Sequence, residues 1–228
     1  MALRHSPLVV TNGLVLYLDA GNTKSYPGSG TTWTDISRNG NNGTLTNGPT
    51  FDTANGGSIV FDGADDYIGT STNVNTVGLT TTSGATMILM LNITLLGRWT
   101  GASNFTANLG NDVDFGWDID PTNLVRIWKN GNAGSAPNIT PYSANWTMYT
   151  LVSDLTGMKF YTNSTLQTTN TTLTGSISNG ATNRYLRLMD HWDNPVQGKL
   201  AITQIYNRAL SQTEITQNFN ALRTRLGI

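Results

Sequence analysis

A chain of 228 residues suits one large β domain, and folding at that length would bury about 72% of the extended chain's surface, so no disulfide or metal is needed for stability. It has no cysteine, which excludes thiolate catalysis, disulfide chemistry and Cys-ligated zinc. A formal net charge of −1, with only 12% of residues charged, excludes the basic face expected of a nucleic-acid binder.

Asparagine and threonine together make up roughly a quarter of the chain. Threonine suits the solvent face of a strand and asparagine suits turns that need positive φ, so the composition describes a sheet protein with a neutral polar surface. The Asn-x-Thr triplets, such as Asn145-Trp146-Thr147, arise by chance at this composition.

The opening Met-Ala-Leu-Arg-His-Ser-Pro contains no apolar core of signal-peptide length, so synthesis in a cytosol with no export address is expected. Residues 1–12 form an N-terminal arm ahead of the first strand. Leu3, Leu8, Val9 and Val10 are apolar there, and Pro7 interrupts regular structure. Such an arm either folds back on its own domain or buries its apolar residues on a neighbouring subunit.

Beyond the arm, residues 13–228 read as one domain. Turn signals recur at Asn12-Gly13, Asn39-Gly40, Asn42-Gly43, Asn47-Gly48, Asn130-Gly131 and Asn179-Gly180. Strands are expected near residues 14–19, 58–61, 87–96, 113–119, 124–129, 146–152, 159–162, 185–189 and 199–206. The most apolar run, residues 87–96, is interrupted by Asn92 and is far shorter than the ~20 residues that span a bilayer. Between residues 112 and 120 the pattern alternates. Val113, Phe115, Trp117 and Ile119 face one side, and Asp112, Asp114, Asp118 and Asp120 the other, which sends the carboxylates toward solvent.

Only the last segment reads as helix, over residues 211–226. Ser211-Gln212-Thr213-Glu214 is a capping box. Ile215, Phe219, Leu222 and Leu226 make one apolar stripe, Arg223 and Arg225 complement the dipole at the C-terminal end, and Gly227 terminates the helix. Many short strands with no helix between them predict an all-β, antiparallel two-sheet jelly-roll sandwich with one short C-terminal helix.

Two stretches carry a family resemblance. The first runs Gly13-Leu14-Val15-Leu16-Tyr17-Leu18-Asp19-Ala20, then Trp33-Thr34-Asp35-Ile36-Ser37, Asn39-Gly40-Asn41-Asn42-Gly43, and Phe61-Asp62-Gly63 with Asp65-Asp66-Tyr67. The second runs from Gly198-Lys199-Leu200-Ala201 through Ile205-Tyr206-Asn207-Arg208-Ala209-Leu210-Ser211 to Glu214-Ile215 and Asn218-Phe219-Asn220-Ala221-Leu222. Together they resemble the laminin-G-like (concanavalin A-like lectin/glucanase) superfamily, and the segments Trp146 to Val152 and Phe160-Tyr161-Thr162-Asn163 look like its central strand pair. Arg38 stands where that family usually has glycine, and Asn163-Ser164 where Asn/Asp-Gly is usual. Standalone copies closing in a helix and a tail such as Arg225-Leu226-Gly227-Ile228 look like proteins of tailed-phage virions. The resemblance therefore implies a virion location, with capsid or other virion proteins as partners; whether the chain forms a homo-oligomer stays open, because pattern alone identifies no surface patch.

The resemblance raises glycoside hydrolysis, which needs two carboxylates flanking the bond. The related glucanases carry Glu-x-Asp-x-x-Glu, whereas this chain has the single glutamate Glu214, committed to a helix cap. With only His5 and His191, and no nucleophile elbow, neither a Ser-His-Asp triad nor a zinc site is supported. No catalytic residue and no required cofactor are expected. The one metal the resemblance implies is calcium, with Asp62, Asp65 and Asp66 as ligands and Asp190/Asp193 as a second cluster; loop carboxylates capping backbone N–H groups are the plainer account. The glycan-binding group is Asp190, His191, Trp192, Asp193 and Asn194, where an aromatic plane stands beside polar groups; Trp99 and Trp128 are weaker platforms, and a tryptophan is more often core. The expected function is a non-catalytic virion structural protein, a capsid decoration or head-surface component. The alternative is a carbohydrate-binding module that attaches to glycans. Neither nucleic acid nor membrane is an expected partner.

Overall fold

The computed structural model describes residues 7–72, 75, 77–80, 84–95, 99–100, 103–105, 115–119, 125–136, 145–177, 185–190 and 197–228. The chain opens with β1 (Leu14–Asp19), β2 (Thr32–Trp33), β3 (Gly43–Thr46), β4 (Thr50–Asp52), β5 (Ser58–Asp62) and β6 (Tyr67–Thr70). There follow β7 (Ala85–Leu95), β8 (Trp99–Thr100), β9 (Ser103–Phe105), β10 (Phe115–Ile119), β11 (Val125–Lys129) and β12 (Asn132–Ala136). Last come β13 (Thr147–Asp154), β14 (Gly157–Thr162), β15 (Thr165–Asn170), β16 (Tyr185–Leu188), β17 (Gln197–Tyr206) and the helix α1 (Gln212–Leu226).

Every strand pairing among the described residues is antiparallel. The large sheet has the order β15-β14-β13-β7-β17-β5-β4, with β1 also on β17. β17 is long enough to serve two partners along one edge. Its first half, Gln197 to Leu200, pairs with β5, and Ile202 to Tyr206 pair with β1. The first strand and residues 199–206 thus share one sheet.

The opposing layer consists, among the described residues, of two sheets, β12-β11-β10-β8 and β2-β3-β6-β16-β9. One core joins the layers. Met87, Leu89, Leu91, Leu151, Phe160, Leu200 and Ile205 of the large sheet meet Trp33, Ile68 and Leu188 on one side and Phe115, Trp117 and Ile127 on the other. Trp117 packs at 5.0 Å from both Tyr149 and Phe160.

The large sheet is buried on its outer face too. Ile88, Met90, Met148, Ala201, Ile202 and Tyr206 form a second core with Ile215, Leu222 and Leu226 of α1. Burial on both faces explains why residues 87–91 read as an unbroken apolar run and not as an alternation. Ser211 caps α1 as expected, with both bonds of the capping box present. The inward stripe differs in one place. Phe219 is only half-buried, while Asn218 is fully buried.

Residues 7–10 of the arm lie against this helix. The Val10 N–H donates to Asn218 Oδ1 at 2.7 Å and Gln217 Nε2 donates to the Leu8 carbonyl at 2.7 Å. Val10 is buried, whereas Leu8 is 81% exposed.

Both departures from the family pattern fall where the backbone enters the left-handed region. Arg38 has φ 75°, and Asn163 and Ser164 have φ 47° and 66°. Asn163-Ser164 is the two-residue loop joining β14 to β15, since Thr162 pairs with Thr165, and positive φ at both positions is the geometry that favours Asn-Gly. Ser164→Gly is therefore expected to stabilise the protein by about 0.5–1 kcal/mol, read as a higher midpoint of urea unfolding.

One orientation needs correcting. Phe115 and Trp117 face the core as the alternation predicts, but Asp118 on the opposite face is only 3% exposed and does not reach solvent. Its cross-strand partner Arg126 grips both carboxylate oxygens, Nε donating to Oδ1 at 2.8 Å and Nη2 donating to Oδ2. The rule that polar residues on a strand face water assumes an open face, and here a guanidinium closes over it. Asp112, Asp114 and Asp120 lie outside the described residues.

Candidate functional site

The most acidic place among the described residues is the turn between β5 and β6. Asp62 ends β5, Gly63 takes φ 82°, and Asp65 and Asp66 lead into Tyr67. The turn is held by its own carboxylates. Asp62 Oδ1 accepts the Ala64 N–H at 2.8 Å, and Asp66 Oδ2 accepts the Asp62 N–H at 3.0 Å. Asn47 steadies it from the β3–β4 turn by donating from Nδ2 to the Asp65 carbonyl at 2.8 Å.

One oxygen from each of Asp62, Asp65 and Asp66 lies within 4.8 Å of the others. Asp62 and Asp65 are exposed and Asp66 is buried. Burial pushes the Asp66 carboxyl above the usual carboxylate range, the Asp62 N–H opposes that shift, and the charges of Asp62 and Asp65 add to it. Its ionised form is therefore under strain that a bound cation would relieve. Three carboxylates fit part of a calcium shell, which takes about six to eight oxygens, and water would complete it.

The pairing of β6 with β16 brings a distant segment to this place. Ile68 lies opposite Leu188 and Gly69 opposite Arg187, so the chain leaving β16 runs toward the Asp66 end of β6. There Arg187 Nη1 bonds Asp190 Oδ2 at 2.8 Å, and the Arg187 guanidinium lies 4.7 Å from the centre of the Tyr67 ring. The acidic turn and Asp190 thus share one rim of the five-stranded sheet, joined through Tyr67 and Arg187. Neither of those two residues stands out in the sequence. The alternation of Tyr185-Leu186-Arg187-Leu188 puts Arg187 on the face away from Leu186 and Leu188, but only the register places it beside Tyr67.

Of the expected glycan-binding group, Asp190 alone is described; His191, Trp192, Asp193 and Asn194 lie outside the described residues. Trp128 is not an exposed platform. It is buried, with the Arg126 guanidinium 5.2 Å from its ring. Trp99 lies in β8, and its side chain is outside the described residues.

Glu214 has no freedom to act as an acid. Arg208 donates to it through Nη2 at 2.6 Å and Nη1 at 3.0 Å, and the Ser211 N–H donates at 2.9 Å. Chiefly through Arg208, its carboxyl is held down to about 2.

An antiparallel sandwich closed by one helix, with polar side chains gathered at the rim of one sheet, defines the class. The chain belongs to the concanavalin A-like lectin/glucanases superfamily, whose laminin-G-type family model matches residues 61–216. A search of curated protein sequences finds no match. Among solved structures, the binding domain of Paraclostridial Mosquitocidal Protein 1 is similar over 92% of this chain and 52% of its own, at 16% identity and a TM-score of 0.69. The receptor binding domain of botulinum neurotoxin C/D mosaic serotype is similar over 92% of this chain and 51% of its own, at 13% identity and a TM-score of 0.67. Trypanosoma rangeli sialidase is similar over 93% of this chain and 33% of its own, at 15% identity and a TM-score of 0.66. The chain thus spans from a third to about half of these proteins, and at such identities the likeness is one of fold. Among the described residues no helix is long and apolar enough to cross a membrane.

Proposed function

We propose that this chain is a non-catalytic glycan-binding module whose ligand sits on the rim formed by the β5–β6 turn and the end of β16. The observation that carries this reading is the β6–β16 pairing, which sets Asp62, Asp65 and Asp66 beside Asp190, Arg187 and Tyr67. Carboxylates accept from sugar hydroxyls, and a guanidinium donates to them in a fixed plane. Calcium held by Asp62, Asp65 and Asp66 would add a centre for hydroxyl oxygens. The recurrence of this fold in a toxin's binding domain and a neurotoxin's receptor binding domain supports a binding role.

Placement argues against hydrolysis at this rim. The three carboxylates come from one turn and cluster together, whereas glycosidases set their pair on either side of the scissile bond, flanking it. Purified protein is expected to bind glycans on an array and to release no reducing ends from laminarin, agarose or peptidoglycan. Asp66→Asn and Arg187→Ala should each weaken binding by about tenfold or more, with calcium strengthening wild type and Arg187→Ala but not Asp66→Asn. Reducing-end release, or a wild-type protein that retains no glycan with or without calcium, would overturn the proposal.

A second reading places the chain on a virion as a capsid-surface component, alone or as a homo-oligomer. It is favoured by Leu8, 81% exposed beside a groove of about 340 Å³ lined by Val9, Tyr17, Ala221 and Leu222, where a neighbouring protein could cover apolar surface. Finding the chain in purified phage particles would support it, and its absence from them would end it.

A further inference from the structure

Between the turn that joins β11 to β12 and the segment Thr172 to Thr174, which follows β15, lies a pocket of about 440 Å³. It borders the four-stranded sheet, whereas the acidic rim belongs to the five-stranded one. Asn170 shapes the segment that walls it, Oδ1 accepting the N–H groups of Thr172 at 2.9 Å and Leu173 at 3.0 Å. Gly134 lets β12 come close to that segment, since a Cβ there would stand 2.9 Å from Leu173 Cδ1.

Lys129, the last residue of β11, lines the pocket and is only 2% exposed. A lysine is almost never buried so fully without a partner of opposite charge. Its ammonium donates to the Asp154 carbonyl at 3.0 Å and to the Leu173 carbonyl at 3.3 Å. Two carbonyls occupy two of its three N–H groups and neutralise none of its charge. Asp154 acts on that charge, but its carboxylate is engaged elsewhere. Oδ1 accepts the N–H groups of Thr156 and Gly157 and the Thr156 hydroxyl, and Oδ2 pairs with Lys159 at 3.6 Å. Burial therefore pushes the Lys129 ammonium below the usual lysine value, and an anion in the pocket would offset that cost.

The rest of the lining narrows the choice of anion. Asn130 and Asn132 spend their amides on the framework, Nδ2 donating to the Ser176 carbonyl at 3.0 Å and to the Asn130 carbonyl at 3.1 Å respectively. Thr174 is exposed and offers a hydroxyl. Among the described residues no second cationic side chain lines the pocket, so one ammonium matches a singly charged carboxylate better than a phosphate dianion. The volume falls in the range of about 300–1,000 Å³ usual for ligand pockets, well beyond what a bare carboxylate fills.

We infer that this pocket is a second binding site, which takes the carboxylate of a uronic acid unit through Lys129 and Thr174. That a sugar carries the carboxylate rests on the reading of the chain as a glycan-binding module; the ligand class and the place are new.

The test is NMR of protein labelled at the lysine Cε, titrated with glucuronate, galacturonate, glucose and inorganic phosphate. At least one uronate is expected to shift the Lys129 signal saturably and to raise its titration midpoint, an effect that a purely structural lysine would not show. Glucose should leave it unmoved. Lys129→Met should abolish binding. Ala133→Trp fills the pocket from an exposed position of β12 and leaves the ammonium on its two carbonyls, so it should weaken binding at least tenfold even if the first variant folds poorly. Asp66→Asn should have no effect. A Lys129 signal that ignores both uronates, undiminished binding in Ala133→Trp, or phosphate bound as tightly as uronate would overturn the pocket. If the array still shows glycans held through Asp66 and Arg187, the glycan-binding reading survives that outcome; a protein that retains neither uronate nor any glycan on the array would lose both.

Discussion

Replacing Asp35 with alanine is expected to lower the unfolding free energy by about 3–5 kcal/mol, measured by urea denaturation. The carboxylate is buried and accepts four hydrogen bonds. Oδ1 takes the N–H groups of Tyr17 at 2.9 Å and Ser37 at 2.8 Å, and Oδ2 takes the Asn41 N–H at 3.0 Å and the Ser37 hydroxyl at 2.8 Å. The Asp35 N–H in turn donates to Asn42 Oδ1 at 2.9 Å. One side chain thus ties β1 to the loop that delivers β3. Alanine would leave three backbone donors without partners in a place that admits little water. An asparagine in its stead keeps the volume and one acceptor oxygen, so Asp35→Asn should lose roughly half as much. A loss below about 1 kcal/mol for the alanine variant would show that water replaces the carboxylate at no cost.

Asn218→Ala is expected to cost about 2–4 kcal/mol. Its carboxamide is fully buried in the helix–sheet core and closes a three-membered ring of bonds. Oδ1 accepts the Val10 N–H at 2.7 Å, Nδ2 donates to the Tyr206 hydroxyl at 3.0 Å, and that hydroxyl donates to the Val10 carbonyl at 2.9 Å. Burial pushes the Tyr206 hydroxyl far up, so it remains protonated and able to donate across the ordinary pH range. Removing the amide strips the N-terminal segment of its main anchor. Hydrogen exchange at the Val10 amide should therefore accelerate more than exchange within β17; equal acceleration at both would point to global destabilisation alone.

The parts of this architecture that local chemistry dictates were legible in the sequence. β1 matches the apolar stretch before the first loop residue for residue. The capping box at Ser211 needs only four neighbouring residues, and Asn130-Gly131 turns β11 into β12 with both residues at positive φ. Asn42-Gly43 misleads because the same dipeptide begins a strand. Gly43 opens β3, where a Cβ would come within 2.9 Å of Ile68. The short strands β2, β3, β4, β6, β12 and β15 are rich in threonine or glycine and show no alternation strong enough to announce them. They exist because partners already lie alongside. Asn218 was hidden for a related reason. A polar residue on an apolar stripe looks like an interruption until its two partners, 12 and 208 residues away along the chain, are in place. At the rim, the Asp62-x-x-Asp65-Asp66 spacing was readable, whereas its meeting with Arg187 and Asp190 depends on a register that no local pattern encodes.

The position of β17 sets the order of events as the chain leaves the ribosome. This strand separates β7 from β5 and β1, so until residues 197–206 emerge the large sheet exists only as unjoined pieces. β1, among the first strands to be made, waits for a partner almost two hundred residues downstream. Native contacts at such sequence separations make for slow folding, on the scale of roughly milliseconds to seconds, and leave apolar strand edges open to neighbouring chains in the interval. The fold is thus completed late and nearly at once, by the arrival of a single strand and the helix that locks over it.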